Sequence, residues 1–237
     1  MFLVIEWGME SEVNGILVAA HELKAPLNLI RQLAFSLDFA ENKDDIAVIQ
    51  NKMINVSDRA LRQVQDLTKI ARLDDGLFEM EPVAVRAVCD DVTKELRTLF
   101  RFNHRKLEIE YRNRTRLVSA NRELLYSIIY NFCLNAMHYS DEETKSELIL
   151  SDKGDKVRLD VRDYGPALPI DVWRTLRKGW VEKPTSIAMR PGSSGLGLYI
   201  ASKFSQYMNA EVGAIRHRDG TSFFVELMPS RQMSLFE

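Results

Sequence analysis

Three groups of residues have the types and spacing that chemistry requires, and the first centres on a histidine. Segment 21–27 reads HELKAPL, so Glu22 is adjacent to His21 and Pro26 follows about one helical turn later. Neutral imidazole has a lone pair on one ring nitrogen, and Glu22 can accept a hydrogen bond from the other. Pro26 removes a helical hydrogen bond and kinks the helix, which is costly for a passive stalk. We therefore predict that His21 is a nucleophile oriented by Glu22, although an exposed histidine is more commonly a plain surface residue.

The second group lies in segment 131–139, which reads NFCLNAMHY. Spacings of four and three residues place Asn131, Asn135 and His138 along one face of a helix predicted over 121–138. Uncharged side-chain oxygens suit a magnesium ion that brings most of its ligands as waters and phosphates. The group therefore predicts a magnesium and phosphate site, with a helix carrying ordinary polar surface residues as the alternative.

The third group consists of glycines at the ends of predicted elements. Gly165 follows Asp163 at the end of a strand, and segment 192–198 (GSSGLGL) opens a helix. Glycines at a helix N-terminus let backbone N–H groups and the positive end of the helix dipole approach a phosphate. The G-x-G pattern does not follow a strand directly and lacks the lysine of a P-loop, so neither a Rossmann nor a P-loop site is predicted.

A long helical hairpin is the first element needed to position these groups. Apolar residues recur at three- and four-residue spacing over 13–37 and again over 46–70. Asn42 or Asp44 can cap the second helix, and Gly76 suits its C-terminal end. A hairpin of this kind buries too little apolar surface alone, so we predict that two copies pair as a four-helix bundle. A coiled-coil stalk with no chemical role is the alternative.

From Leu77 onward the pattern changes to short strands that alternate with helices, which indicates an α/β sandwich. Gly154 and Gly220 mark turns between apolar runs, as in hairpins, and 179–194 has no period and is predicted to be a loop. The predicted strands lie near 78–82, 106–111, 116–119, 146–151, 156–162, 211–216 and 221–228, and the predicted helices near 83–101, 121–138 and 194–208.

Taken together, these segments resemble the sensor histidine kinases of two-component signalling. Segment 21–27 is similar to the H box of the family and segment 131–139 to its N box. Asp163-Tyr164-Gly165 is similar to the G1 box, and 195–198 (GLGL) to the G2 box. The four motifs together are specific although each is short, and the resemblance covers about residues 10–228.

The resemblance implies an α+β fold with two domains. Residues 10–75 would form an N-terminal helical hairpin, which assembles as a dimeric four-helix bundle for dimerisation and histidine phosphotransfer. Residues 77–230 would form an ATP-binding catalytic domain with the α/β sandwich of the GHKL or Bergerat ATPases, shared with gyrase, Hsp90 and MutL. The implied activity is autophosphorylation of His21 and phosphoryl transfer to a response-regulator aspartate. The implied cofactors are ATP and Mg²⁺, and the implied partners are a second copy and a receiver domain.

The family's site residues can be carried over to matching positions. Asp163 would accept a hydrogen bond from the adenine amino group, and Asn135 would bind Mg²⁺ with help from Asn131. Tyr139 would lie against the adenine, His138 near the phosphates, and loop 179–194 would be the ATP lid. The complete set is His21 and Glu22 as catalytic residues, with Asn131, Asn135, His138, Tyr139, Asp163, Gly165, Gly195, Leu196, Gly197 and Leu198 as ATP-binding residues, of which Asn135 is the metal ligand.

Three departures from the family pattern matter. Ala167 stands where the G1 box usually has a second glycine, and segment 172–180 has Arg177 and Trp180 where the F box has two phenylalanines. Ala25 replaces the threonine or asparagine with which many relatives position a water to dephosphorylate the partner. Because alanine cannot form that hydrogen bond, we predict weak or absent phosphatase activity.

Two other functions remain open from the sequence. A catalytically weak histidine phosphotransfer scaffold that docks a receiver domain is supported by Ala167 and the atypical F box. An ATPase that works by conformational clamping is disfavoured, because its glutamate base is replaced by Asn131 and the His21 helix would have no role.

Composition excludes other classes of protein. The 32 basic and 34 acidic residues give a net charge of −2 and a pI near 6.2, so we expect no nucleic-acid partner. Two cysteines, Cys89 and Cys133, without nearby metal-ligand spacing predict neither a disulfide framework nor a zinc cluster. The apolar segment 1–7 is too short for a transmembrane helix. We therefore expect a cytoplasmic protein, or the cytoplasmic portion of a longer membrane-attached kinase.

Overall fold

A computed structural model describes residues 23–112, 116–178 and 196–231. The chain divides into two compact units: of the described residues, 23–72 and Leu196 belong to the first, and 73–112, 116–178 and 197–231 belong to the second. His21, Glu22, Gly195 and the predicted lid 179–194 lie outside the described residues.

The first unit contains two long helices. Residues 23–36 form α1, which a 3₁₀ turn at Leu37–Phe39 follows, and Lys43–Ala71 form the 29-residue α2. Asn42 caps α2, because its side-chain Oδ1 accepts a hydrogen bond from the Asp45 N–H at 2.8 Å. Of the two predicted caps, Asn42 is therefore the one used.

Large apolar side chains of this unit are exposed to solvent in the single chain. Leu27 and Phe35 on α1 are each 62 % exposed, and Leu61 on α2 is 59 % exposed. Exposed apolar residues on both helices leave hydrophobic surface available for a partner.

The second unit is built on a five-stranded mixed sheet. Its strands are β2 (Lys106–Tyr111), β4 (Lys145–Lys153), β5 (Lys156–Arg162), β6 (Glu211–His217) and β7 (Gly220–Leu227), in the order β2-β4-β5-β7-β6. Among the described strands of this sheet, only the β2–β4 pair is parallel. A second, two-stranded sheet pairs β1 (Glu81–Val83) with β3 (Val118–Ala120) in antiparallel register.

The second unit also contains four helices among the described residues. They are α3 (Val85–Phe102), α4 (Arg122–Tyr139), α5 (Ile170–Lys178) and α6 (Leu196–Tyr207), and α4 contacts β4, β5 and β7. The alternation along β5 shows the two faces: Val157, Leu159 and Val161 are fully buried, whereas the intervening Arg158 and Asp160 pair with each other on the opposite face. The result is the predicted α/β sandwich.

The described part of the chain contains all seven predicted strands and the predicted helices at α3, α4 and α6. The turns predicted at Gly154 and Gly220 are hairpin turns with positive φ angles of 75° and 133°. Helix α5 was not predicted, because a helix of nine residues depends on tertiary packing more than on its own sequence. Among the described helices, none combines the length and apolarity needed to cross a lipid bilayer.

Candidate functional site

Helix α4 carries the polar group of segment 131–139 and is fixed at both ends. At its start, Oδ1 of Asn121 accepts hydrogen bonds from the N–H groups of Glu123 and Leu124, both at 3.1 Å. At its end, the Ser140 hydroxyl donates to the Ala136 carbonyl at 2.6 Å. Along the face between them, exposure rises from the buried Asn131 through the half-buried Asn135 to the exposed His138. The predicted face therefore runs from the core to the surface.

Asn131 lies where α4 meets the start of α6. Its side-chain Nδ2 donates to the Ser127 carbonyl at 2.9 Å. A Cβ atom added to Gly197 would lie 3.0 Å from Asn131 Oδ1, closer than most side-chain contacts. The structure thus brings the predicted N-box and G2-box residues together, with Asn131 packed against the Gly197 backbone.

Asn135 is the predicted metal ligand. Its Nδ2 atom is buried and has no hydrogen-bond partner. An unsatisfied buried amide is costly unless a ligand completes its hydrogen bonding. The described residues contain no group of three or more His, Cys, Asp or Glu side chains that could hold a metal. The Nδ2 donor therefore fits an acceptor such as a phosphate or water oxygen, and Oδ1 of the same amide is the kind of ligand that Mg²⁺ takes when it arrives with its own phosphates and waters.

Asp163 follows β5 and is completely buried. Its N–H donates to the Thr221 carbonyl at 2.9 Å, and its Oδ1 accepts from the Thr221 N–H at 3.1 Å. A Cβ atom on Gly220 would lie 2.2 Å from the Asp163 carbonyl oxygen and 2.7 Å from Oδ1. The β6–β7 hairpin therefore holds this carboxylate in one orientation, and Gly220 permits the close approach.

Gly165 packs against the end of α4. A Cβ atom there would lie 1.8 Å from the Tyr139 carbonyl oxygen and 3.1 Å from the Ser140 Cα atom. The first distance is impossible for a side chain and the second is tighter than most real contacts, so only glycine fits without a shift of the α4 backbone. The close approach places the predicted adenine-binding segment, Asp163 to Gly165, beside Tyr139.

Tyr164, between these two residues, belongs to a polar cluster on the sheet. Its hydroxyl donates to Glu147 Oε2 at 2.5 Å, and the Arg162 guanidinium lies 4.7 Å from the centre of its ring. The hydrogen bond to Glu147, together with burial, raises the pKa of Tyr164. Burial would raise the pKa of Glu147, but hydrogen bonds from Lys145 and Tyr164 outweigh it and lower that pKa.

His217 lies on the hairpin that holds Asp163. Its Nε2 forms a 2.9 Å hydrogen bond with the Ser222 hydroxyl. Burial and the neighbouring Arg162 lower the pKa of His217, and Asp219 and Asp160 only partly oppose them. A neutral imidazole is therefore favoured beside the Arg162 guanidinium.

The structure brings some of the predicted site residues together and leaves others apart or outside the described residues. Asn131, Asn135, Tyr139, Gly165 and Gly197 meet at or along α4, and Asp163 adjoins them through the chain. Leu196 and Leu198 are buried, which indicates that they anchor α6, and His21, Glu22 and Gly195 lie outside the described residues.

Thr221 and Gly220 were missed among the site residues. Their signal in the sequence was only the turn at Asp219-Gly220, which says nothing about a partner 58 positions away. The antiparallel pairing of β5 with β7, in which Arg162 is opposite Ser222, creates that contact.

Part of this chain matches a family of known proteins, and most of it aligns with individual relatives. Residues 120–231 match the family described as histidine kinase-, DNA gyrase B-, and HSP90-like ATPase. The probable sensor histidine kinase TcrY of Mycobacterium tuberculosis is 25 % identical over 211 residues, which cover 88 % of this chain and 44 % of TcrY.

Two solved structures share the fold. Histidine kinase ThkA in complex with response regulator protein TrrA matches 96 % of this chain and 63 % of its own, with a TM-score of 0.63 and 18 % identity. Full-length ShkA in complex with AMPPNP matches 91 % of this chain and 46 % of its own, with a TM-score of 0.59 and 20 % identity. The chain therefore spans less than two thirds of each of these three proteins.

Proposed function

We propose that this chain, a sensor histidine kinase with an ATPase domain of the kind found in DNA gyrase B and HSP90, phosphorylates His21 with ATP. The phosphoryl group then passes to an aspartate of a response regulator. The observation that carries the proposal is the junction around α4. There, Gly165 and Gly197 pack against Tyr139 and Asn131, and a hairpin orients the buried Asp163.

Asp163 is proposed to recognise the adenine. A fully buried carboxylate needs hydrogen-bond donors, and the Thr221 N–H is one of them. The adenine amino group is a donor of the same kind. With Oδ1 held by Thr221, the carboxylate is oriented before nucleotide arrives, which reduces the entropy cost of binding.

Asn135 is proposed to hold the magnesium ion of Mg-ATP through Oδ1, because the carbonyl oxygen is the atom of an amide that can coordinate a metal. Its buried Nδ2 has no hydrogen-bond partner, so a bound phosphate or water would complete its hydrogen bonding. When bound, Mg²⁺ neutralises charge that develops on the phosphates during transfer. His138, exposed in the last turn of α4, is proposed to lie near the same phosphates.

The phosphoryl transfer is proposed to begin at His21. One imidazole nitrogen attacks the γ-phosphorus, the bond from that phosphorus to the β–γ bridging oxygen breaks, and ADP leaves. Glu22 accepts a hydrogen bond from the other ring nitrogen and stabilises the positive charge that forms on the ring. The aspartate of the receiver domain then attacks the phosphohistidine and restores the free imidazole.

We further propose that the chain acts as a homodimer in the cytoplasm, where both ATP and receiver domains are found. The exposed apolar residues on α1 and α2, such as Leu27 and Leu61, support pairing of two hairpins into a four-helix bundle. The structure of ThkA with TrrA supports a response-regulator partner.

Autophosphorylation is tested with ATP labelled at the γ-phosphate. We expect an acid-labile, base-stable label on the unmodified chain, no label on His21→Gln, and an unchanged label on His104→Asn, a matched change at an exposed histidine. Asparagine is chosen for the control because His104 has a positive φ of 53°. A label that persists on His21→Gln would contradict the assignment.

The same experiment separates the kinase from the scaffold. A scaffold that docks a receiver would bind ATP without becoming labelled, in agreement with Ala167 and the atypical F box. A kinase becomes labelled and then loses its label on addition of a receiver domain.

A further inference from the structure

The C-terminal end of α4 is held by an arginine that belongs to none of the four motifs. Nε and Nη2 of Arg105 donate to the Ser140 carbonyl at 3.2 and 2.8 Å. Nη1 donates to the Asn103 carbonyl at 3.1 Å. One guanidinium thus joins the chain after α3 to the residue that caps α4.

The end of α3 places Arg105 at this point. His104 adopts a left-handed conformation with φ of 53°, and the Arg105 N–H donates to the Phe100 carbonyl at 2.9 Å. These are the features of a Schellman turn, which reverses the chain at the end of a helix. The turn directs Arg105 towards α4 at the start of β2.

The charge of Arg105 suits both helix ends. The last carbonyl groups of a helix carry partial negative charge, which a nearby cation stabilises. A guanidinium that donates two hydrogen bonds to one carbonyl also fixes its position more tightly than an ammonium can.

The carbonyl held by Arg105 belongs to the backbone against which Gly165 packs. Ser140 is buried, and its hydroxyl lies 3.1 Å from that of Ser146. Its Cα atom is one of the three atoms nearest to a Cβ built on Gly165, together with the Tyr139 carbonyl carbon and oxygen. Displacement of Ser140 would therefore change the position of Tyr139 and Gly165 together.

We infer that Arg105 is a positioning residue of the nucleotide site, acting through the Ser140 carbonyl on the Tyr139–Gly165 contact. This inference rests on the proposed function, because it takes that contact as part of the ATP site. Arg105 itself need not touch ATP. Its removal should weaken binding in the ground state and the transition state alike, so that KM rises while kcat stays nearly constant.

The test uses the full chain and two substitutions at Arg105. For Arg105→Ala we expect the Kd of a non-hydrolysable ATP analogue to rise about tenfold, since the loss of a hydrogen bond to a charged group has an effect of this order. We expect Arg105→Lys to recover about half of that loss on a logarithmic scale, because lysine keeps the charge but not the paired hydrogen bonds. Autophosphorylation at saturating ATP should stay within about twofold for both variants.

Arg116→Ala is the matched control. Arg116 also makes two hydrogen bonds to one group, the Asp152 carboxylate at 2.9 Å each, and a third to a backbone carbonyl, that of Gly154. It does so at the β4–β5 turn, at the opposite end of β4 from Ser140. A similar number of bonds is lost, but the Kd for the ATP analogue should not change.

The outcomes separate cleanly. Equal Kd values for the unmodified chain and both Arg105 variants would overturn the role of Arg105 and leave the proposed function intact. The role of Arg105 would also be overturned if the Arg105 and Arg116 variants lost affinity for the analogue in the same proportion to their loss of thermal stability. That result would show that Arg105 has a structural role only. Failure of the unmodified chain to bind the analogue would overturn the proposed function and this inference with it. If Arg105→Ala does not fold, Arg105→Lys decides, with a several-fold rise in Kd expected and an unchanged Kd overturning the inference.

Discussion

Gly165 is the residue around which the described site has the least room. Nothing but hydrogen fits between its Cα and the Tyr139 carbonyl oxygen, which a Cβ would approach to 1.8 Å. Backbone cannot move aside as a flexible side chain can, so the requirement for glycine follows from the contact with α4 and not from the local conformation. Gly165 has no positive φ, in contrast to Gly154.

Gly165→Ala should therefore both destabilise the protein and weaken nucleotide binding. We expect a loss of about 1–3 kcal/mol in the free energy of unfolding from overpacking, and a rise in the Kd for ATP of about tenfold or more from the displaced α4 end. Denaturant titration and binding of a fluorescent ATP analogue measure the two effects.

Gly154→Ala is its control, because no heavy atom lies within 4 Å of the added Cβ and only the positive φ of 75° is unfavourable. It should cost about 1–2 kcal/mol of stability and leave the Kd unchanged. An unaltered Kd in Gly165→Ala would show that the contact with Tyr139 does not shape the site.

His217 should make the protein sensitive to acid. Its pKa is lowered by burial and by Arg162, so the unfolded chain, with an ordinary histidine pKa of about 6.5, takes up the proton first as the pH falls. The stabilising contribution of neutral His217 is therefore complete above that pH and is lost as the pH drops through the folded-state pKa. His217→Gln should show a smaller decrease in Tm between pH 8 and pH 5.5 than the unmodified chain.

His104→Asn is the control. Its Tm should decrease between pH 8 and pH 5.5 by as much as the Tm of the unmodified chain does. An equal decrease in the His217→Gln and unmodified proteins would place the acid sensitivity elsewhere.

At the scale of elements, α4 and α6 each reach from the site to the segment that follows the hairpin. The Asn121 side-chain Nδ2, at the start of α4, donates to the Glu79 carbonyl at 3.0 Å. The Tyr207 hydroxyl, at the end of α6, donates to the Phe78 carbonyl at 3.0 Å, and the two rings pack edge to face. Residues 78 and 79 are thus attached to the ends of these helices that lie away from Tyr139 and Gly197.

Asn121 combines two roles, a helix cap through Oδ1 and this attachment through Nδ2. Asn121→Ala removes both and should lower the free energy of unfolding by about 1–3 kcal/mol. Asn121→Asp keeps the capping oxygen and removes only the donor, so its loss should be smaller, at about 1 kcal/mol. Denaturant titration of both variants checks this order, and equal losses would mean that the cap contributes nothing.

At the scale of the whole molecule, the hairpin has apolar surface that the single chain leaves exposed. Leu27→Glu should raise the dimer dissociation constant about a hundredfold or more, because a symmetric interface would bury the new charge twice. Analytical ultracentrifugation over a range of protein concentrations measures this change.

Ile170→Glu is the control for the dimer, since it places the same charge on an apolar residue of the second unit that is 47 % exposed. It should leave the dissociation constant unchanged. A dimer that withstands Leu27→Glu would show that α1 does not form the interface.

The sequence by itself determined the motifs and all the described elements of the second unit except α5, because both depend on residues close together in the chain. Helical periodicity over α3, α4 and α6, alternation along the strands, and the turn glycines 154 and 220 were all predicted and are all present. Asp163, Gly165 and the asparagines of α4 are identifiable from their short motifs alone.

Tertiary structure alone decided which residues support the site. The contacts of Thr221 with Asp163, of Tyr139 with Gly165 and of Arg105 with Ser140 join residues 58, 26 and 35 positions apart. No local pattern encodes such pairs, because they arise only when β5 lies beside β7 and when the turns after α3 and α4 meet. The predicted motifs name the residues of the site, and the packing of sheet and helices fixes their positions.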